Sequence, residues 1–401
     1  MTDTWTGRLP AAAAKAATLP TGWEVVARTL WFGGLAAVVG TLLAHVTVVR
    51  PSLRRLGPAG SAGLAVSRRT VALAAVGALV AYVPRLVTTV APGASNPWDA
   101  ASPARVWSFV TTSAPSGVWF PKGAVIAVQG GLLVVTALAG LAGWRRPSER
   151  ALTLAVAPAV AVQFVKAVPV SADAARPARL IGAVLNQGHI VAAGVWLGGL
   201  LTLTVLTRAH RRLGGLGADV WAGQWRRFSV LASASVGVVV VSGAWLTWEH
   251  VGSVGQMFTT AYGRVLSIKL ALVLCLLAFG GYNQLVLMPR VERRRRAGQE
   301  ASVLRLTVRH LGRVVLAEVG IGVGVLVAVA FLTGSARIQA GGSTPDPTAT
   351  VWLGGVGLTL AVVAMLALTA RLAGFLAARP RPERDAADAD TESAEVAVSP
   401  R

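Results

Sequence analysis

Apolar residues in this chain gather into blocks of about 20 or more, the length that crosses roughly 30 Å of hydrocarbon as a helix. The blocks run approximately 23–49, 66–90, 122–144, 151–170, 180–207, 228–250, 262–288, 311–333 and 349–376. The pattern predicts an all-α fold, a polytopic transmembrane helix bundle of about nine spans. The fourth block is the shortest and contains Pro158. Between the third block and its predecessor, the stretch 91–121 shows no periodicity and holds Trp98, Trp107 and Trp119. Tryptophan favours the headgroup zone, so these read as interfacial anchors.

Polar loops between the blocks carry an asymmetry of charge. Arg50, Arg54, Arg55, Arg68 and Arg69 follow the first block, Arg145, Arg146 and Arg150 the third, and Arg208, Arg211, Arg212, Arg226 and Arg227 the fifth. A further run, Arg290 to Arg296 and on to Arg313, follows the seventh. The alternate loops are poor in base. Positive charge stays on the cytoplasmic side, which places the N-terminus outside and the C-terminus inside, as an odd number of spans requires. The net charge of +21 is thus mainly a topology signal and a contact for anionic lipid, not a nucleic-acid footprint.

Composition agrees. Of 401 residues, 54% are hydrophobic and 14% charged, against about 25% charged in soluble proteins. The single cysteine, Cys275, excludes an intrachain disulfide, a cysteine-based zinc site and a dithiol redox pair. No basic n-region or cleavage site precedes Trp23, so no removable signal peptide is expected. The expected organisation is an extracytoplasmic tail (1–22), a four-helix membrane region (23–179), a second membrane domain (180–340), a final helix (341–376) and a disordered acidic cytoplasmic tail (377–401).

An ionisable group inside hydrocarbon costs about 2.5–3.5 kcal/mol on insertion scales, so each is a functional candidate. Orientation sorts them by depth. His189, Glu249 and His250, with Met257 in the following loop, fall near the outer face. Lys269 lies about two turns below that face, where a pair with a carboxylate such as Glu249 is expected. His45, Glu318 and Asn283 group toward the cytoplasm. Asn186, Gln187, Ser235, Ser242 and Cys275 lie between the two groups and are candidates to line a path. His210 and His310 fall in basic loops.

His189 opens the run HIVAAGVWLGGL. Trp196 shares its helix face at i+7, and the glycines admit a close neighbour. The imidazole therefore faces the bundle, where a metal, a haem, a carboxylate, or a neighbour's backbone group or hydroxyl satisfies it. Trp-x-Gly-Gly recurs at 31–34, 196–199 and 352–355, read as close packing of helices. No catalytic triad, phosphate loop or paired catalytic carboxylate is visible, and the GxG pattern at 320–324 lies in a membrane block without the strand a nucleotide site needs. No enzymatic activity is expected.

HIVAAGVWLGGL resembles the signature of the copper-resistance D (CopD) membrane domain. The resemblance continues through RFSVLASASVGVVVVSGAW (227–245), TTAYGRVLSIKLALVLCLLAFGGYNQLVLMPRV (259–291) and VRHLGRVVLAEVGIGVGVLVAVAFLTGS (308–335). His189, Trp196, Tyr262, Arg264, Lys269 and Glu318 match recurring residues of that family. The resemblance implies a multi-pass protein of the inner membrane that takes up or delivers copper, with a periplasmic copper-resistance C-type carrier as partner. The chain departs from the pattern at LTGSARI, which lacks the family's proline, and in outer loops without Met- or His-rich tracts. Imidazole and thioether suit copper, so His189, His250, Met257 and Glu249 form the expected metal set. The competing reading is a b-type haem held by His189 and His250, or an oxidase-assembly subunit.

Overall fold

The computed structural model describes residues 20–378 except 93, 95, 97, 99–100, 211–214, 288, 291–311 and 344. Residues 1–19 of the N-terminal tail, 291–311 of the Arg-rich run after the seventh block, including His310, and 379–401 of the acidic tail lie outside the described residues. Those described form helices and connections and include no strand. Ten helices carry the architecture: α1 (Gly22–Ala44), α2 (Ser61–Val90), α3 (Pro103–Thr111), α4 (Lys122–Arg145), α5 (Glu149–Phe164), α6 (Pro177–His210), α7 (Gly215–His250), α8 (Ala261–Tyr282), α9 (Gly312–Phe331) and α10 (Ala349–Ala378).

Among the described residues, seven helical stretches are long and apolar enough to cross a membrane, and Ala317–Phe331 is a shorter apolar helix. The first stretch, Gly22–Val90, joins α1 to α2. It doubles back at Gly57, whose φ of 54° and ψ of −129° favour a residue without Cβ. The reversal sets Gly34 beside Ala78 and His45 beside Ser67. A capping box starts α1: Thr21 Oγ1 accepts from the Glu24 amide at 3.3 Å and Glu24 Oε2 accepts from the Thr21 amide at 3.1 Å. The stretch 91–121, expected to be irregular, contains α3, where Ser102 Oγ accepts from the Arg105 amide at 3.3 Å. Trp107 in α3 is 71% exposed, as an interfacial anchor would be.

Glycine decides which helices meet. Helix α6 lies between α1 and α7, and the sequence Gly194-Val-Trp-Leu-Gly198 provides the small-residue spacing that lets membrane helices touch backbone to backbone. An added Cβ at Gly198 would run into the Ala36 carbonyl and Gly40 of α1. At Gly199 it would meet the ring of Phe228 on α7. The paired glycines of this motif thus serve two different neighbours. In the first Trp-x-Gly-Gly, Gly34 abuts Ala78 in the same manner. The third departs from the expectation: nothing lies within 4 Å of a Cβ at Gly354 or Gly355. Helix α10 instead exposes Leu353, Leu360 and Leu368, each 66% or more, a surface suited to lipid tails.

His45, fully buried, is not paired with Glu318 as its predicted depth implied. Its Nδ1 meets Ser67 Oγ at 2.9 Å, and its Nε2–H donates to Glu149 Oε2 at 2.9 Å. Arg68 donates to Glu149 Oε1 at 3.0 Å, and Arg50 stands 3.7 Å from Oε2. One carboxylate thereby gathers the ends of α1, α2 and α5. Glu318 and Asn283 do meet: the Asn283 amide donates to Glu318 Oε1 at 2.8 Å, with both residues 3% exposed or less.

Gly198→Leu is expected to abolish the monodisperse species on size-exclusion chromatography in detergent, whereas Gly354→Leu leaves it intact. Glu149→Ala should lower stability by about 3–5 kcal/mol, the cost of stripping one partner from a buried charge cluster. Removing the carboxylate of the exposed Arg176–Asp173 pair, 3.4 Å apart, should cost about 1 kcal/mol or less. Thermal unfolding in detergent, compared between Glu149→Ala and Asp173→Ala, checks the difference.

Candidate functional site

Where α7 ends and α8 begins, the bundle encloses a cavity of about 990 Å³, at the upper end of the range for small-molecule sites. Its position follows from the packing described above. The glycine contacts hold α1, α6 and α7 together, and α8 and α9 complete the wall. Four cationic residues line it: Arg28 of α1, Arg85 of α2, Lys166 just beyond α5, and Lys269 of α8. His189 and Trp196 of α6, His250 of α7 and Tyr262 of α8 line it as well. So do the amides of Gln163, Asn186 and Gln187.

Hydrogen bonds set the tautomer of both imidazoles. Ser242 Oγ donates its only proton within its own helix, to the carbonyl of Val238. It must therefore accept from His189 Nδ1–H, 3.0 Å away. His250 Nδ1–H donates to the Leu246 carbonyl at 2.9 Å. Each neutral ring is left with the Nε2 lone pair, the ligand form of histidine fixed by a hydrogen bond at its other nitrogen. The His250 ring also stacks on Tyr262, 5.8 Å between centroids and 9° between planes.

A short segment after α9 secures this corner. Ser335 Oγ donates to the His250 carbonyl at 2.9 Å. Arg337 donates to the carbonyls of Trp248 and Val251, both at 2.9 Å, satisfying the orphan acceptors at the end of α7. The Tyr262 amide donates to Gln339 Oε1 at 3.1 Å. These three polar residues follow the LTG motif directly, where the expected proline is missing. They hold His250 and Tyr262 against the cavity.

Several predicted residues lie elsewhere. Glu249 and Met257 do not line the cavity, and neither do His45, Glu318 and Asn283. The Glu249 carboxylate rests near Gly182 of α6. Lys269 makes no ion pair with Glu249 or any other carboxylate among the described residues, contrary to the expected pairing. No three His, Cys, Asp or Glu side chains come together as a metal site among the described residues. Cys275 is exposed and off the cavity wall, not on a path between the two polar groups. Asn186 and Gln187 do line the cavity, as expected.

Arg28, Arg85, Lys166 and Gln163 escaped sequence reasoning, as did the Glu149 cluster. A signal for the cations was present. They interrupt apolar blocks at the ends opposite the arginine-rich loops, where positive charge is disfavoured. Gln163 Nε2 donates to Gln187 Oε1 at 2.6 Å, a buried pair between two helices that no sequence spacing encodes.

The chain is similar to the copper transport protein CutJ of Bacillus subtilis (strain 168), 28% identical over 155 residues. The match takes in 39% of this chain and 25% of that relative, so the chain spans about a quarter of the relative's length. No solved structure matches. Residues 222–332, which supply most of α7, all of α8 and α9 and so three helices of the cavity wall, match the family model described as Copper resistance protein D.

Proposed function

We propose that the protein handles copper in the cytoplasmic membrane, taking the ion up or delivering it across the bilayer. One observation carries this reading: the segment matching the copper resistance family supplies three helices and His250 to the wall of a cavity that holds two imidazoles, each fixed with its Nε2 lone pair uncommitted. The similarity to a copper transport protein supports it. In this reading His189 and His250 are the copper contacts. Met257 and Glu249 stand off the cavity wall, as approach residues at its rim. A few weak contacts, and not a closed ligand cage, suit an ion that must also leave.

The proposed topology is nine spans with the N-terminus outside and the C-terminus inside. Pairwise directions support it. Contacts of Gly34 with Ala78, Gly143 with Leu152, Gly199 with Phe228, and Asn283 with Glu318 make successive helices antiparallel. Gly40 against Gly198, with Ala36 against Gly194, makes α1 and α6 parallel, as the first and fifth spans must be. The cavity then opens on the extracytoplasmic side, where a copper-resistance C-type carrier would hand over its ion. Glu318 and Lys269 are the proposed sites of any coupling to protons.

Cells making His189→Ala at matched expression should accumulate copper no faster than cells lacking the protein; accumulation at the wild-type rate rejects His189 as a contact. Ser242→Ala frees the ring and should weaken copper binding by about 10–100-fold, the effect of losing such an orienting partner. Titration of the purified protein with copper measures this. A Soret band in the same sample would favour the haem reading.

A further inference from the structure

The cavity carries a charge that a bare metal cation does not explain. Arg28, Arg85, Lys166 and Lys269 line it, together with His189 and His250, and no Asp or Glu does. None of the four cations forms an ion pair among the described residues, whose ion pairs involve only the carboxylates of Glu149 and Asp173. Arg28 donates to the carbonyl of Ala330 at 3.2 Å, a neutral partner. Glu24, the carboxylate that acts on Arg85, is held in the capping box with Thr21 and lies beyond ion-pair distance. The charges come from four separate elements, so they do not form one solvated face. Folding brings them together at the end of the bundle where membrane proteins exclude positive charge.

An anion would offset the mutual repulsion within such a cluster. Guanidinium pairs grip phosphate through two parallel hydrogen bonds, and ammonium groups add point charge. The cavity is also far larger than an ion needs, and its composition is divided. Beside the cations the wall is apolar, lined by Leu270, Leu274, Val325, Leu326 and Val329. Leu274 is 64% exposed and Leu270 36%, so this part reaches the outer surface of α8. A cationic chamber continuous with an apolar opening fits an amphiphile with an anionic head.

We propose that the cavity binds a phosphate group through Arg28, Arg85, Lys166 and Lys269, supplied by an anionic phospholipid headgroup or by free phosphate. The bound phosphate neutralises the chamber and so permits a second, cationic occupant beside His189. The proposal stands on the cavity's charge and does not require the copper reading.

Delipidated protein in a neutral detergent provides the test, in the absence of copper. Native mass spectrometry with equimolar phosphatidylglycerol and phosphatidylcholine is expected to show retention of phosphatidylglycerol. The variant Arg85→Gln/Lys166→Gln should lower that retention at least tenfold, while Arg85→Lys/Lys166→Arg and the distant Arg371→Gln preserve it. Thermal unfolding of the wild type in inorganic phosphate against chloride at equal ionic strength forms the second arm. It needs no variant, so it decides even if the double variant does not fold. Stabilisation by phosphate with no lipid preference identifies free phosphate as the source. Equal retention of both lipids together with equal melting in both salts overturns the proposal. So does a preference for phosphatidylglycerol that the double variant, once folded, retains in full. Because copper is absent throughout, this result is independent of copper accumulation in cells, and either reading can fail alone.

Discussion

Charge inside a membrane bundle has to be answered by something, and this protein answers it differently at its two ends. At one end a single carboxylate, Glu149, meets His45, Arg50 and Arg68 and joins three helices. The site is closed: imidazole, hydroxyl and guanidinium are all committed to one another. At the other end four cations face a cavity with no carboxylate among its lining residues. The first arrangement fixes the fold. The second leaves a demand that a ligand meets, and that asymmetry is what turns a helix bundle into a site.

Glycine makes the open end possible. Contact between Gly198 and Gly40 draws α6 onto α1, and Gly199 seats the Phe228 ring of α7. With α6 pinned on both sides, His189 sits about two and a half to three turns from these contacts on a helix that cannot shift without breaking them. Ser335, Arg337 and Gln339 anchor the opposing corner through backbone carbonyls and an amide. The imidazoles are thus carried by rigid elements, and their tautomers are set by Ser242 and by the Leu246 carbonyl. Helix α10, by contrast, has glycines that touch nothing and leucines that face outward.

Helical class and the approximate bounds of most long helices were legible in the sequence, because a 20-residue apolar block has few alternatives in lipid, but α7 begins at Gly215, well before its apolar block at 228. His189 was legible too, through its place at the head of a small-residue run. What sequence position could not give was lateral adjacency. His45 and Glu318 share a predicted depth, yet His45 found Glu149 on α5, and depth says nothing about which helices are neighbours. Lys269 and Glu249 failed to pair for the same reason. Arg28, Arg85 and Lys166 looked like isolated interruptions of apolar blocks. Only their convergence from separate elements makes them one feature. Helix α3 was missed because nine residues are too few to show a period against the surrounding tryptophans.

The claim that an open, cationic, imidazole-bearing chamber is where this protein meets its ligands can be tested by direct imaging. A structure determined by electron cryomicroscopy in phosphatidylglycerol-containing nanodiscs, with copper added, should show non-protein density inside the chamber, in contact with Arg85, Lys166 or Lys269 and next to His189. A collapsed chamber, with those side chains paired to carboxylates or turned toward the lipid, would contradict it.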